Sequence, residues 1–176
     1  LGWPGLHGPM PGSTLWGSGP DVASLLEFLS KGRPWSGRIN VEQVSIGEIS
    51  AEPNGTLLGG CLSVLSNLIG TGYFPGSLSG HMLFLEDTRE SAPRILRLWN
   101  QWLDSGLLDG VVALVLGRFT ELDGDQDEDW LVQALMSRSP CPVFRSPDFG
   151  HVTPNMPLVV GSQARISKGE LAWSLN

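Results

Sequence analysis

The sequence predicts an α/β fold: a short parallel sheet with crossover helices, finished by a terminal β-hairpin. Three observations carry this. From His81 onwards, short apolar runs alternate with amphipathic stretches at helical spacing. The stretch from Met156 to Leu175 alternates polar and apolar around Lys168-Gly169. And 176 residues with 41% hydrophobic and 16% charged side chains have the composition of a globular domain with a core.

The elements follow in order. Residues 1–34 are rich in Gly, Pro, Ser and Trp, a connector composition, with one helical segment from Asp21 to Leu29. Asp21 is the expected N-cap, and Val22, Leu25, Leu26 and Leu29 make its apolar face. Gly37 to Ile49 places apolar residues at 39, 41, 44, 46 and 49, which predicts a strand or bent ribbon with a bulge at the slip in period. Leu57 to Phe74, inside a stretch without Asp, Glu, Lys or Arg, predicts a buried helix between Gly-rich turns. A β-α-β unit follows: strand 81–85, helix 91–103, strand 111–116. Asp127 to Met136 adds a helix and Pro142 to Phe144 a third short strand. Lys168-Gly169 is the turn of the closing hairpin.

Composition also excludes. A net charge of −7 without a basic stripe argues against nucleic acid and anionic membrane surfaces as partners. The charge-free run is interrupted by too many Gly, Ser and Asn residues to be a membrane span. Cys61 and Cys141 stand apart, outside any CxxC pattern, so neither a disulfide framework nor a zinc site is expected, and a cytoplasmic setting fits. The run Asp123 to Asp129 starts like a calcium loop but has Glu128 where Gly is needed and Ala134 where Glu is needed. It reads as a solvated loop feeding the next helix. Trp99 and Trp102 at helical spacing read as core. The opening Leu1-Gly2-Trp3, with no Met or signal-like segment, is read as the start of a piece of a longer chain.

In an open parallel sheet, ligands sit beyond the carboxyl ends of the strands. Strand 81–85 is followed by Glu86-Asp87, strand 111–116 by Gly117-Arg118, and the third strand by Asp148-Phe149-Gly150-His151. Glu86 and His151 are the candidate pair, because a carboxylate on one imidazole nitrogen fixes the tautomer in which the other nitrogen takes a hydroxyl proton. Their structural readings are a carboxylate at a helix start and a loop histidine bonded to backbone. No GxSxG elbow occurs, so a nucleophile is missing. Both residues are expected on a rim, removable with little loss of fold. His7-Gly8-Pro9-Met10 has no partner of its own and marks only a turn after a short strand.

Taken in order, the following motifs resemble the LD-carboxypeptidase family of serine peptidases, which includes muramoyltetrapeptide carboxypeptidases and microcin C immunity peptidases: His7-Gly8-Pro9-Met10, Leu58-Gly59-Gly60-Cys61, Leu83-Phe84-Leu85-Glu86-Asp87, Val115-Leu116-Gly117-Arg118-Phe119, Phe149-Gly150-His151 and Pro157-Leu158-Val159-Val160-Gly161. The resemblance implies a swivelling β/β/α C-terminal domain at 35–176, preceded at 1–34 by the end of a flavodoxin-like N-terminal domain and its linker. It implies that Glu86 and His151 are the Glu and His of a Ser-Glu-His triad whose Ser lies on the absent domain, leaving this fragment alone inactive. It further implies a murein tetrapeptide substrate cleaved at its L,D-amide during peptidoglycan recycling, a homodimer, and no cofactor or metal. A related hydrolase of microcin-type aminoacyl or peptidyl nucleotides, and a non-catalytic peptide-binding or partner-binding domain, are the alternatives. The family's usual Asn after the paired glycines is Cys61 here, and its usual Val-Gly after Glu-Asp is Thr88-Arg89. Arg89 could hold a substrate carboxylate or phosphate, but is read in preference as a solvated charge.

Overall fold

The computed structural model of the chain describes residues 4–12, 16, 19–45 and 51–176. The end of the predicted ribbon at Ile46 and Ile49, and the opening Leu1-Gly2-Trp3, lie outside them. The elements are β1 (Gly5–His7), α1 (Pro20–Ser30), β2 (Trp35–Asn40), β3 (Glu42–Gln43), β4 (Asn54–Cys61), α2 (Leu62–Ser66), β5 (His81–Thr88), α3 (Ala92–Asp104), β6 (Ala113–Thr120), α4 (Glu128–Ser137), β7 (Val143–Arg145), β8 (Leu158–Val160), β9 (Gln163–Ser167) and β10 (Glu170–Leu175).

Eight strands form a sheet in the order β2-β10-β9-β4-β5-β6-β7-β3. The expected α/β architecture is present, with β4, β5, β6 and β7 parallel at the centre and antiparallel strands on either side. β2 and β3 stand at opposite ends of that order, yet only Val41 separates them. One residue spans about 3.8 Å, so the sheet curls until its two edges meet at Val41. The slip in the ribbon's period is thus a corner, where the chain leaves β10 at Asn40 and joins β7 at Glu42.

Curling gives the sheet an inside and an outside, and the strands sort their side chains by the two-residue period. Met82 and Phe84 of β5 and Ala113 and Val115 of β6 join Ile39, Leu57, Phe144, Ile166, Leu171 and Trp173 inside. Leu83, Leu85, Leu114 and Leu116 face outward onto Ile95, Trp99, Trp102, Leu131 and Leu135 of the covering helices. Trp99 and Trp102 are buried, as their spacing predicted, and Trp102 Nε1 donates to Ser66 Oγ at 2.8 Å. The hairpin turns where expected: Lys168 and Gly169 both have positive φ, 52° and 81°, the conformation that a two-residue turn between twisted strands requires.

Two expectations are corrected. Leu57 to Phe74 is not one helix: its first part is the strand β4, and only Leu62–Ser66 is helical. An apolar run buried on both faces reads alike for strand and helix. The strand wins because Gly59 lets β4 lie tight against β5, a Cβ there falling 1.9 Å from the Phe84 carbonyl oxygen. Asp21 is not an N-cap either. Gly19 is, with Pro20 opening the helix, and Asp21 Oδ2 instead accepts from Thr153 Oγ1 at 2.7 Å. Val22 and Leu25 are buried, whereas Leu26 and Leu29 are exposed.

Candidate active site

β5 runs three residues further than its apolar pattern predicts, to Thr88. Glu86 and Asp87 are therefore strand residues and buried, not groups on an open rim. Alternation sends them to opposite faces: Glu86 towards the interior side with Phe84, Asp87 towards α2.

Asp87 is consumed locally. Its carboxylate accepts from the backbone N–H of Ser63 at 2.7 Å and of Thr88 at 2.9 Å, and from the Ser63 hydroxyl at 3.1 Å. The Cys61 thiol lies 3.3 Å from the same carboxylate. These bonds hold the turn from β4 into α2. Burial, with Asp87 and Glu86 nearby, pushes the Cys61 thiol up to about 11.

Among the described residues, the Glu86 carboxylate is hydrogen-bonded only by imidazoles. His151 Nδ1 lies 2.6 Å from Glu86 Oε2, so the two residues singled out from sequence are in direct contact. On the other oxygen, His7 Nε2 stands 3.4 Å from Oε1, at the long end for a hydrogen bond. The buried carboxylate is unfavourable as an anion in itself, but the bonds from His151 and His7 outweigh burial and hold Glu86 below the usual carboxylate range. As an ionised acceptor it requires a proton on each facing nitrogen, which assigns His151 the Nδ1–H tautomer when neutral. The hydrogen bond to Glu86 raises His151 above the ordinary imidazole value, against the opposing effect of burial; the charges of Glu86 and Asp87 add to the rise and Arg89 offsets part of it. The His151 side chain is 42% exposed, and its Nε2 has no hydrogen-bond partner among the described residues.

The loop that carries His151 is fixed from beneath by Arg118. Its backbone N–H donates to Phe149 O at 3.1 Å, its Nη1 to Thr153 O at 2.8 Å, and its Nη2 to the carbonyls of Val152 and Pro154. Gly117 and Gly150 allow this close approach: a Cβ on Gly117 would come within 2.4 Å of the Phe149 ring, and Gly150 has φ +137 against Arg118. Arg118 faces the loop, not a ligand. Asp148 is likewise occupied, accepting from the backbone N–H and the side chain of Asn40 at 2.7 and 2.8 Å. Arg89 is held in an exposed ion pair with Glu121 at 2.7 Å, and its charge bears on His151.

The contact that the sequence reading missed is His7. It sits at the end of β1, which pairs antiparallel with β8 through His7 and Leu158. Its only signal in the sequence is a histidine beside Gly8-Pro9, and a partner 79 residues away cannot be read from that. The acidic run from Asp123 serves its helix as expected, Asp127 Oδ1 accepting from Trp130 N at 2.8 Å. Among the described residues no group of three His, Cys, Asp or Glu side chains is placed to hold a metal, and no described helix is long and apolar enough to cross a membrane.

Comparison with known proteins adds a family. Residues 54–166 match the model of the LD-carboxypeptidase C-terminal domain. A Synechocystis protein named as a carboxypeptidase is 34% identical over 117 residues, 64% of this chain and 38% of that protein. The microcin C7 self-immunity protein of Escherichia coli is 28% identical over 120 residues, 66% of this chain and 35% of that protein. The crystal structure of muramoyltetrapeptide carboxypeptidase from Oxalobacter formigenes superposes with a TM-score of 0.78 at 30% identity, covering 98% of this chain and 61% of that one. The chain thus spans between a third and two fifths of the length of these curated relatives. With more than half of its residues inside the matched domain, it belongs to the LD-carboxypeptidase family, of which it carries the C-terminal domain.

Proposed function

We propose that Glu86 and His151 are the carboxylate and the base of a Ser-Glu-His triad in a serine carboxypeptidase. The 2.6 Å contact between Glu86 Oε2 and His151 Nδ1 carries this reading. With Nδ1–H committed to Glu86, Nε2 is the nitrogen left to take a proton from a serine hydroxyl as it attacks a carbonyl carbon. The imidazolium so formed is stabilised by a carboxylate that stays ionised, and it returns the proton to the leaving amine. The nucleophile comes from a part of the protein outside this chain, and the fragment alone is inactive.

The family supports, as the leading reading, a murein tetrapeptide substrate cleaved at the bond between its L-centre and terminal D-amino acid, in the cytoplasm, during peptidoglycan recycling, by a homodimer. The likeness to a microcin self-immunity protein supports a second substrate, an aminoacyl or peptidyl nucleotide. Incubating the full-length protein with a murein tetrapeptide and, separately, with a peptidyl adenylate tests both readings. Release of the terminal D-amino acid supports the first and cleavage of the adenylate the second. Failure with both, by a protein that binds the peptide, would leave a non-catalytic binding domain.

A further inference from the structure

Glu86 has two oxygens, and the triad reading uses one. The other is engaged by His7, from a strand that precedes the matched family domain by more than forty residues. The His7 side chain is 16% exposed. Its ring stands edge-on to Phe84 at 5.4 Å and to Phe149 at 6.0 Å, and these two rings meet each other edge-on at 5.7 Å. Nδ1 is buried with no hydrogen-bond partner among the described residues. A proton there would be an unsatisfied buried donor, whereas a bare nitrogen costs less. The proton therefore belongs on Nε2, the nitrogen that faces Glu86 Oε1.

We propose that His7 is a positioning residue for the Glu86–His151 pair: its Nε2–H holds Glu86 Oε1, fixing the rotation of the carboxylate so that Oε2 meets His151 Nδ1. This deepens the triad reading and rests on it for its effect on turnover. A fully buried carboxylate with one oxygen unsatisfied would rotate to share both oxygens with His151 or bind a proton, and either change weakens its hold on the imidazole. The Phe84–Phe149 corner keeps the His7 ring from turning away. β1, anchored on β8, sets its height above β5.

The chain holds three histidines, His7, His81 and His151, so nitrogen-15 imidazole spectra resolve each one. In the unaltered chain the proposal expects His7 as the Nε2–H tautomer and His151 with a strongly hydrogen-bonded Nδ1–H. His7→Leu should shift the His151 Nδ1–H signal and lower its titration midpoint towards the ordinary value of about 6.5. His7→Gln, whose Nε2 can donate from the same side, should restore much of both. Asp87 and Arg89, the other charges that bear on His151, are unchanged in these variants. In the full-length enzyme His7→Leu should lower kcat on the order of tenfold or more with little change in KM. A His7 found as the Nδ1–H tautomer, or a folded His7→Leu chain in which His151 keeps its tautomer and midpoint, would overturn the proposal. The triad reading fails separately, if Glu86→Gln in the full-length protein retains turnover.

Discussion

Glu86 and Asp87 are neighbours on one strand, both carboxylates and both buried, yet they do opposite things. Asp87 accepts from two backbone N–H groups and a hydroxyl, donors that keep their protons at any ordinary pH. Glu86 accepts from two imidazoles, one of them partly open to solvent. A carboxylate surrounded by fixed donors ties a turn together. One surrounded by titratable donors couples its charge to a proton that can move. The difference comes from the two-residue period of β5, which turns one side chain towards the β4–α2 turn and the other towards His7 and His151.

Replacing each carboxylate by an uncharged residue separates the two roles. Glu86→Gln in the full-length enzyme should lower kcat by about three to four orders of magnitude, since Gln can offer His151 the wrong group and favour the wrong tautomer. Steady-state kinetics check this, with circular dichroism to show that the fold survives. Asp87→Ala should act on stability, costing roughly 3 kcal/mol or more in denaturant unfolding as buried N–H groups lose their acceptor. In molecules that stay folded the acid limb of the pH profile should move down somewhat, since the Asp87 charge adds to the rise at His151.

The pH dependence sharpens the contrast. His151 is raised, so its contribution to stability is present below the ordinary imidazole value and lost as pH rises through the raised one. Glu86 is lowered, so its contribution is present above the ordinary carboxylate value and lost as pH falls through the lowered one. The pair stabilises the fold most between these limits, and Glu86→Gln should flatten that window in melting curves recorded against pH. Catalysis needs the neutral imidazole, so the acid limb of kcat/KM should lie above about 6.5 and move down in Glu86→Gln. The smallest effect concerns Cys61. With its thiol pushed up to about 11, only about one in ten thousand molecules is ionised at neutral pH, so alkylation should be slow until the chain is unfolded.

Much of this was legible in the sequence, for physical reasons that differ by element. Lys168-Gly169 could be placed because few residue pairs accept two positive φ angles. Strand β5 could be placed because its apolar run is short and continuous, and helix α3 because its apolar residues repeat at helical spacing. Glu86 and His151 stood out because both follow apolar runs at the same end of a parallel sheet. What escaped depends on contacts between distant segments. Part of β4 read as a helix because Gly59 makes sense only against Phe84. The closure at Val41 needs both sheet edges at once. The depth of Glu86, the loop-holding work of Arg118 and the approach of His7 are properties of the packed interior, and no local pattern encodes them.

The most direct test of the central claim is release of the terminal D-amino acid from a murein tetrapeptide by the full-length protein, compared with its His151→Ala variant. The account predicts release by the parent and a rate lower by several orders of magnitude in a variant that folds normally and still binds the peptide. Near-normal turnover in His151→Ala would contradict it.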